Sequence, residues 1–243
     1  MPTFENPLLP NAKLKELFAL MQRARAMTKA PATAPRFEAI LSATLMHIEP
    51  GDFVSPPPGA PSAALLAAER TAAPAKSKKL ASSPAAIPLP AQQRLATAAG
   101  IAQGLKLATI NRLALAYTDA NAASARTEQG WAEALTYAVR AQLPLLIVCA
   151  DVTGGPRIAN PKAISWPTMA KLAKSLQLPV LTVDGTDAVA VYRVMQESAH
   201  RARQGDGAAI IWCVLPPASD RSPANDPIRK LRHYLKARNI PTA

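Results

Sequence analysis

The stretch LALAYTDANAASARTEQGWAEALTYAVRAQLPLLIVCAD, residues 113–151, decides the fold of this chain. It opens with an apolar run at 113–117 and closes with a second one at 145–150. Between them, residues 127–142 show the periodicity of a helix. Two strands that are apolar throughout and joined by a helix are typical of a parallel sheet covered on both faces.

The same alternation continues on both sides of this stretch. Three residues give local support, because Asp187 and Asp226 are good helix N-caps and Pro227 suits a first helical position. The further helices are predicted over 92–108, 168–176, 187–203 and 226–238, and the further strands over 180–183 and 209–214. We therefore expect an α/β fold with helices on both faces of a parallel sheet.

The N-terminal part has a different character. Two amphipathic helices are predicted over residues 12–28 and 37–48. Residues 55–90 are rich in proline and alanine and predict a linker or mobile loop, with one short helix over 62–70. The expected organisation is therefore N-terminal helices (1–54), a linker (55–90) and an α/β part (91–243), together forming one domain.

Composition narrows the possible classes of function. The net charge is +12, but the cations are spread over an N-terminal and a C-terminal helix and only 5% of residues are aromatic. Nucleic-acid binding is therefore a minor alternative to solvated helix faces or a surface for an acidic partner.

Cys149 and Cys213 lie in apolar runs and are expected to be buried. No apolar run is long enough to span a bilayer, and we expect a cytoplasmic protein.

Two aspartates follow neighbouring strands of the predicted sheet. Asp119 and Asp151 are expected in the loops after the runs at 113–117 and 145–150, and ligands of such sheets bind beyond the carboxyl ends of the strands. Two carboxylates there could hold a hard divalent cation. The alternative is that each aspartate merely begins a loop, where this residue type is common.

An ordered set of segments resembles one enzyme family. The segments are AAGIA (98–102), LALAYTDA (113–120), EQGWAEAL (128–135), LPLLIVCAD (143–151), VDGTD (183–187) and DPIR (226–229), with RFEA (36–39) and EPGD (49–52) before them. In this order they resemble the alpha subunit of the first component of pyruvate and branched-chain 2-oxo acid dehydrogenases. The chain is identified as a divergent, shortened member of that thiamine-diphosphate-dependent family.

The resemblance implies a cofactor site and partners. Members bind thiamine diphosphate through magnesium at the carboxyl edge of the sheet, and two alpha chains assemble with two beta chains. Carried over to this sequence, Asp119 is the metal ligand, and Asp119, Ala120 and Asp151 are the cofactor-binding candidates. No side chain is assigned a catalytic role, because the activating glutamate of this family comes from the beta subunit.

Departures from the family pattern predict a weakened site. The family's Gly-Asp-Gly turn is Thr118-Asp119-Ala120 here, and its liganding asparagine falls on Val152, with Asp151 or a water as a substitute. The family's diphosphate anchors fall in the linker, where no match remains. Two hypotheses follow. The first is a working alpha subunit, which takes part in the oxidative decarboxylation of a 2-oxo acid with thiamine diphosphate, although its cofactor binding is weakened or lost. The second is a non-catalytic paralogue that pairs with a beta subunit in a structural or regulatory role. The histidines, His47, His200 and His233, are expected on helices as packing or surface residues.

Overall fold

A five-stranded parallel sheet with the order β1-β2-β3-β5-β4 forms the centre of the computed structural model. The structure describes residues 9–28, 36–56, 61–71, 91–108, 111–120, 125–152, 166–217, 220 and 222–241. The strands are β1 (Phe53–Ser55), β2 (Ala114–Asp119), β3 (Leu145–Val152), β4 (Val180–Asp184) and β5 (Ala209–Leu215). The helices are α1 (Asn11–Met27), α2 (Glu38–Leu45), α3 (Pro61–Thr71), α4 (Ala91–Leu107), α5 (Ala125–Arg140), α6 (Trp166–Leu176), α7 (Ala188–Gln204) and α8 (Pro227–Ala237), and a short 3₁₀ helix spans Pro223–Asn225.

Alternate residues of each strand feed two separate cores. On β2, Leu115 and Tyr117 belong to the core under α1, α2, α3, α7 and α8, whereas Ala114 and Ala116 belong to the core under α4, α5 and α6. Small alanines on the second face let α4 lie close to the sheet. Helices on both faces of a parallel sheet confirm the predicted fold class.

β1 is the element that the sequence did not predict. It pairs in parallel with β2, from Phe53 opposite Ala114 to Ser55 opposite Ala116. A three-residue strand is too short to leave a periodic pattern in the sequence, and for this reason it was not predicted. It spans the boundary that was predicted between residues 54 and 55. The predicted short helix is confirmed as α3, which packs in the core. The rest of the predicted linker, residues 57–60 and 72–90, lies outside the described residues.

Local capping was predicted correctly. The Asp187 carboxylate accepts bonds from the Val189 and Ala190 amides at the start of α7, at 2.9 and 3.0 Å. Asp226 accepts a bond from the Arg229 amide at 3.0 Å and begins α8. By contrast α2 ends at Leu45, earlier than predicted, and His47 therefore lies in the turn after the helix. His200 and His233 lie on α7 and α8 as expected.

The amino edge of the sheet is held by one buried carboxylate. Asp52, 1% exposed, precedes β1 and accepts the Glu49 amide at 2.8 Å and the Leu113 amide at 3.0 Å. Arg203, near the end of α7, donates to both of its oxygens, at 3.0 and 2.6 Å. Arg203 also donates to the carbonyl of His47 at 3.0 Å. This network joins α2, β1, β2 and α7. Its hydrogen bonds compensate the carboxylate of Asp52 and the guanidinium of Arg203 for the water that they lose on burial.

Some of the cations of the N-terminal helix are used inside the fold. Arg25 of α1 donates to Glu38 at 2.7 Å and to Asp226 at 3.0 Å, and Arg36 also reaches Asp226 at 3.0 Å. Burial opposes ionisation of Asp226, but the bonds from Arg25 and the Arg229 amide outweigh it and lower the pKa. These charges therefore tie α1 to α8.

Candidate functional site

β2 and β3 end side by side at the carboxyl edge, where the sequence predicts a cofactor site. Both strands are longer than predicted, so Asp119 and Asp151 lie on the strands and the expectation that they begin loops is wrong. The ladder continues because β3 stays paired with β5 up to Val152 opposite Leu215. Asp119 lies opposite Ala150 in the register. The carboxylate of Asp119 is outside the described atoms, and its role as a metal ligand stays a prediction.

Asp151 has a partner that the sequence did not reveal. Its Oδ2 accepts a bond from the indole Nε1 of Trp212, at 3.0 Å. Trp212 is fully buried in the core under α4, α5 and α6. Successive residues of a strand face opposite sides, so Asp151 shares the side of Cys149, away from Ala150 and Val152. The carboxylate suggested as a substitute ligand is thus committed to the indole on the other face.

Val152 occupies the position where the family pattern places a liganding asparagine. It is partly buried and packs against the core under α1, α2, α7 and α8, on the same side as Ala150. Its isopropyl side chain has no atom that can donate electrons to a metal. This position contributes packing only.

Ala120 follows directly after β2. It is 3% exposed, and its methyl group belongs to the core under α4, α5 and α6. Its side chain is therefore used for packing, and any contact with a ligand would have to come from its backbone.

Arg94 on α4 is a charged residue of this edge that we did not single out in the sequence. It is 1% exposed, and its Nη1 donates to the carbonyl of Tyr117 at 3.0 Å. The pairing of β1 with β2 stops at Ala116, so Tyr117 is the first β2 residue beyond the shorter strand. Burial lowers the pKa of Arg94, but a guanidinium stays charged at neutral pH. A single cation on the apolar side of an alanine-rich helix was the signal available in the sequence.

The turn after β4 explains one of the family-like motifs, VDGTD. Gly185 donates its amide to the carbonyl of Val214 at 2.8 Å, and a Cβ there would lie 2.9 Å from a Leu215 methyl group. Asp184 accepts bonds from the amide and hydroxyl of Thr186 and from Lys230. Burial opposes its ionisation, but these bonds lower its pKa. The motif is thus explained by turn and capping geometry.

The described part of the edge offers a poor set of metal ligands. Among the described residues, no three His, Cys, Asp or Glu side chains are grouped so that they could hold a metal ion. Cys149 and Cys213 are buried as expected and form no disulfide, and burial raises the pKa of Cys213 to about 12. No helix within the described ranges is both long and apolar enough to cross a membrane.

Comparisons with known proteins place this chain in a family. The sequence profile described as "Dehydrogenase E1 component" matches residues 68–215. The pyruvate dehydrogenase E1 component subunit alpha of Staphylococcus epidermidis is 31% identical over 160 residues, which cover 58% of this chain and 42% of that protein. The corresponding protein of Porphyra purpurea is 31% identical over 119 residues, covering 42% of this chain and 35% of the relative. The 3-methyl-2-oxobutanoate dehydrogenase subunit alpha of Mycobacterium tuberculosis is 41% identical over 63 residues, 26% of this chain and 17% of the relative.

Solved structures agree at the level of the fold. Benzoylformate decarboxylase from Polynucleobacter necessarius superposes with a TM-score of 0.52 and 14% identity, over 79% of this chain and 35% of that one. A putative thiamin diphosphate-dependent enzyme from Mycobacterium smegmatis gives a TM-score of 0.51 and 17% identity, over 75% of this chain and 32% of that one. The chain therefore spans well under half the length of the curated relatives and solved structures it matches.

Proposed function

Because this chain belongs to the dehydrogenase E1 component family, we propose that it is an alpha-type subunit that pairs with a beta-type subunit but binds thiamine diphosphate and magnesium weakly. Its role in such an assembly is then structural or regulatory. The competing hypothesis from the sequence is a working alpha subunit, which decarboxylates a 2-oxo acid oxidatively with this cofactor. The two differ in whether the carboxyl edge can hold a metal and a diphosphate.

The observation that carries the proposal is the pair of neighbours Asp151 and Val152. A magnesium ion needs octahedral oxygen ligands, usually carboxylates together with waters and phosphate oxygens. The side chain of Val152 supplies no oxygen, and Oδ2 of Asp151 accepts a bond from Trp212 at 3.0 Å on the opposite side of the strand. Neither of these two described side chains is placed to hold the metal, so no step of catalysis is assigned to them.

Arg94 adds an electrostatic argument. Its guanidinium bonds the carbonyl of Tyr117, two residues before Asp119 on β2. A positive charge there would compete with a metal for any nearby carboxylate.

The pairing half of the proposal is supported by an exposed face of α4. Ala96, Gly100, Gly104 and Leu107 are exposed and follow one another at helical spacing, and we call them the small-residue face. Nothing lies within 4 Å of a Cβ added at either glycine, and Leu107 is 74% exposed. Glycine in an exposed helix costs about 1 kcal/mol relative to alanine. Two glycines on one exposed face of α4 are explained if the backbone of another chain packs closely against that face.

Sedimentation velocity with beta-type subunits of 2-oxo acid dehydrogenases from the same organism tests the proposal. We expect a complex without added cofactor, and a loss of at least ten-fold in its affinity for Gly100→Leu and Gly104→Leu. Both changes leave the isolated chain folded, because the space is open and leucine favours helix. Ala237→Leu, at an exposed alanine of α8, is the matched control. The absence of any complex, or equal loss in the control, would overturn the pairing.

A further inference from the structure

A groove of about 830 Å³ lies between the first half of α7 and the first half of α8. We call it the α7–α8 groove. Its apolar lining includes Val189, Pro223, Leu231 and Tyr234. Its volume falls within the roughly 300–1,000 Å³ typical of sites for small ligands, which are also mostly apolar with a few polar groups.

The groove carries more positive charge than the fold neutralises. Three cations line it, Arg193, Arg229 and Lys230, and among the described lining residues the single acid is Asp187. The Asp187 carboxylate is occupied by the amides at the start of α7. Lys230 is bonded to Asp184 at 2.9 Å. In the part of the chain that the structure describes, neither Arg193 nor Arg229 forms an ion pair with a carboxylate.

Arg193 is the residue that points most directly to a ligand. The residue is half-buried and lines the groove, and its buried Nε has no hydrogen-bond partner among the described residues. A buried donor without a partner is unfavourable, and native structures nearly always satisfy such groups. The amides of Val189 and Ala190 are already capped, so an incoming anion would be recognised by side chains, not by the N-terminus of the helix.

We propose that the α7–α8 groove binds a small organic anion, with a phosphate or carboxylate held by Arg193 and Arg229. Arginine suits both groups because its planar fork bonds two oxygens at once. The apolar body of the ligand packs against Val189 and Leu231. This site is separate from the carboxyl ends of β2 and β3, and the inference does not rest on the proposed function.

Calorimetric titration of the full chain tests this site. The probes are phenyl phosphate, benzoate, inorganic phosphate and benzyl alcohol, in about 150 mM salt so that long-range attraction by the basic surface is screened. We expect saturable binding of phenyl phosphate or benzoate, weaker binding of inorganic phosphate and none of benzyl alcohol. The first two probes distinguish a phosphate ligand from a carboxylate ligand. Absence of saturable binding for both aromatic anions overturns the proposal.

Matched double variants locate the binding. Arg193→Gln with Arg229→Gln removes one cation of the groove from each helix, and we expect binding to weaken at least ten-fold. Arg201→Gln with Lys236→Gln removes one cation from each of the same helices outside the groove, with an expected change below two-fold. Equal losses in both double variants would mean non-specific attraction and contradict the proposal. A loss caused by Val152→Asn instead would place the anion at the carboxyl ends of β2 and β3, and would also contradict it.

Discussion

The two ends of the sheet differ in how their charged groups are used. At the amino edge, Asp52 and Arg203 form a buried pair whose oxygens each accept an amide as well. At the carboxyl edge, Asp151 is bonded to an indole, Val152 and Ala120 are packing residues, and Arg94 is tied to a backbone carbonyl. The edge that holds the fold together is complete. These four described side chains of the carboxyl edge all contact the rest of the fold.

The largest expected effect on stability comes from removing the buried carboxylate at the amino edge. Asp52→Asn leaves the buried guanidinium of Arg203 without its carboxylate, and we expect a loss of about 3–5 kcal/mol in the free energy of unfolding. Glu49→Gln is the control, since Glu49 also lies 3.6 Å from Arg203 but is 55% exposed. Its expected loss is below about 1 kcal/mol. Urea denaturation measures both, and similar losses would show that burial of the pair is not what matters.

The next effect tests the partner of Asp151. Trp212→Phe keeps an aromatic ring in the core but removes the indole donor, which leaves the carboxylate without that bond. We expect a loss of about 1–3 kcal/mol in the free energy of unfolding. The double variant with Asp151→Ala should recover part of this loss. Additive losses in the thermodynamic cycle would show that the bond from Trp212 to Asp151 contributes nothing.

A third change attempts to restore the carboxyl edge. Val152→Asn places an amide oxygen on the side of β3 that carries Ala150. We expect the magnesium-dependent affinity for thiamine diphosphate to rise about ten-fold, equivalent to about 1.4 kcal/mol. Val152→Leu keeps the position apolar and should change nothing. If both variants bind as the parent chain does, the residue at 152 is not what limits cofactor binding.

The smallest effect is a pH dependence at the amino edge. Burial lowers the pKa of His47 from 6.5 to about 4, and its ring packs on Tyr192 at 4.2 Å. The unfolded chain therefore binds a proton below pH 6.5 that the folded chain binds only near pH 4. Stability falls as the pH drops through this window, by roughly 0.7 kcal/mol between pH 7 and 6.

His47→Phe keeps the ring contact and should remove that decrease, whereas His200→Phe, at an exposed position of α7, should retain it. Denaturation midpoints at several pH values measure the slope. An unchanged slope in His47→Phe would mean that other groups produce it.

Local signals in the sequence were reliable for the fold. Asp187, Asp226 and Pro227 act within their own helix ends, and the alternation of strands and helices identified β2 to β5. β1 was not predicted because three residues are too few to show the alternation of a strand. The bond between Trp212 and Asp151 joins positions 61 residues apart, so no local pattern could reveal it. Arg94 left a local signal, a cation on the apolar side of α4, but its bond to the carbonyl of Tyr117 joins positions 23 residues apart and could not be predicted from it.

Calorimetric titration of thiamine diphosphate with excess magnesium, into the chain alone and into its complex with a beta-type subunit, tests the central claim most directly. We expect no saturable heat with a dissociation constant below roughly 1 mM in either state, because the side chain of Val152 supplies no ligand atom and Oδ2 of Asp151 is bonded to Trp212. Micromolar binding in either state, abolished by a chelator, would contradict it and establish a working cofactor site.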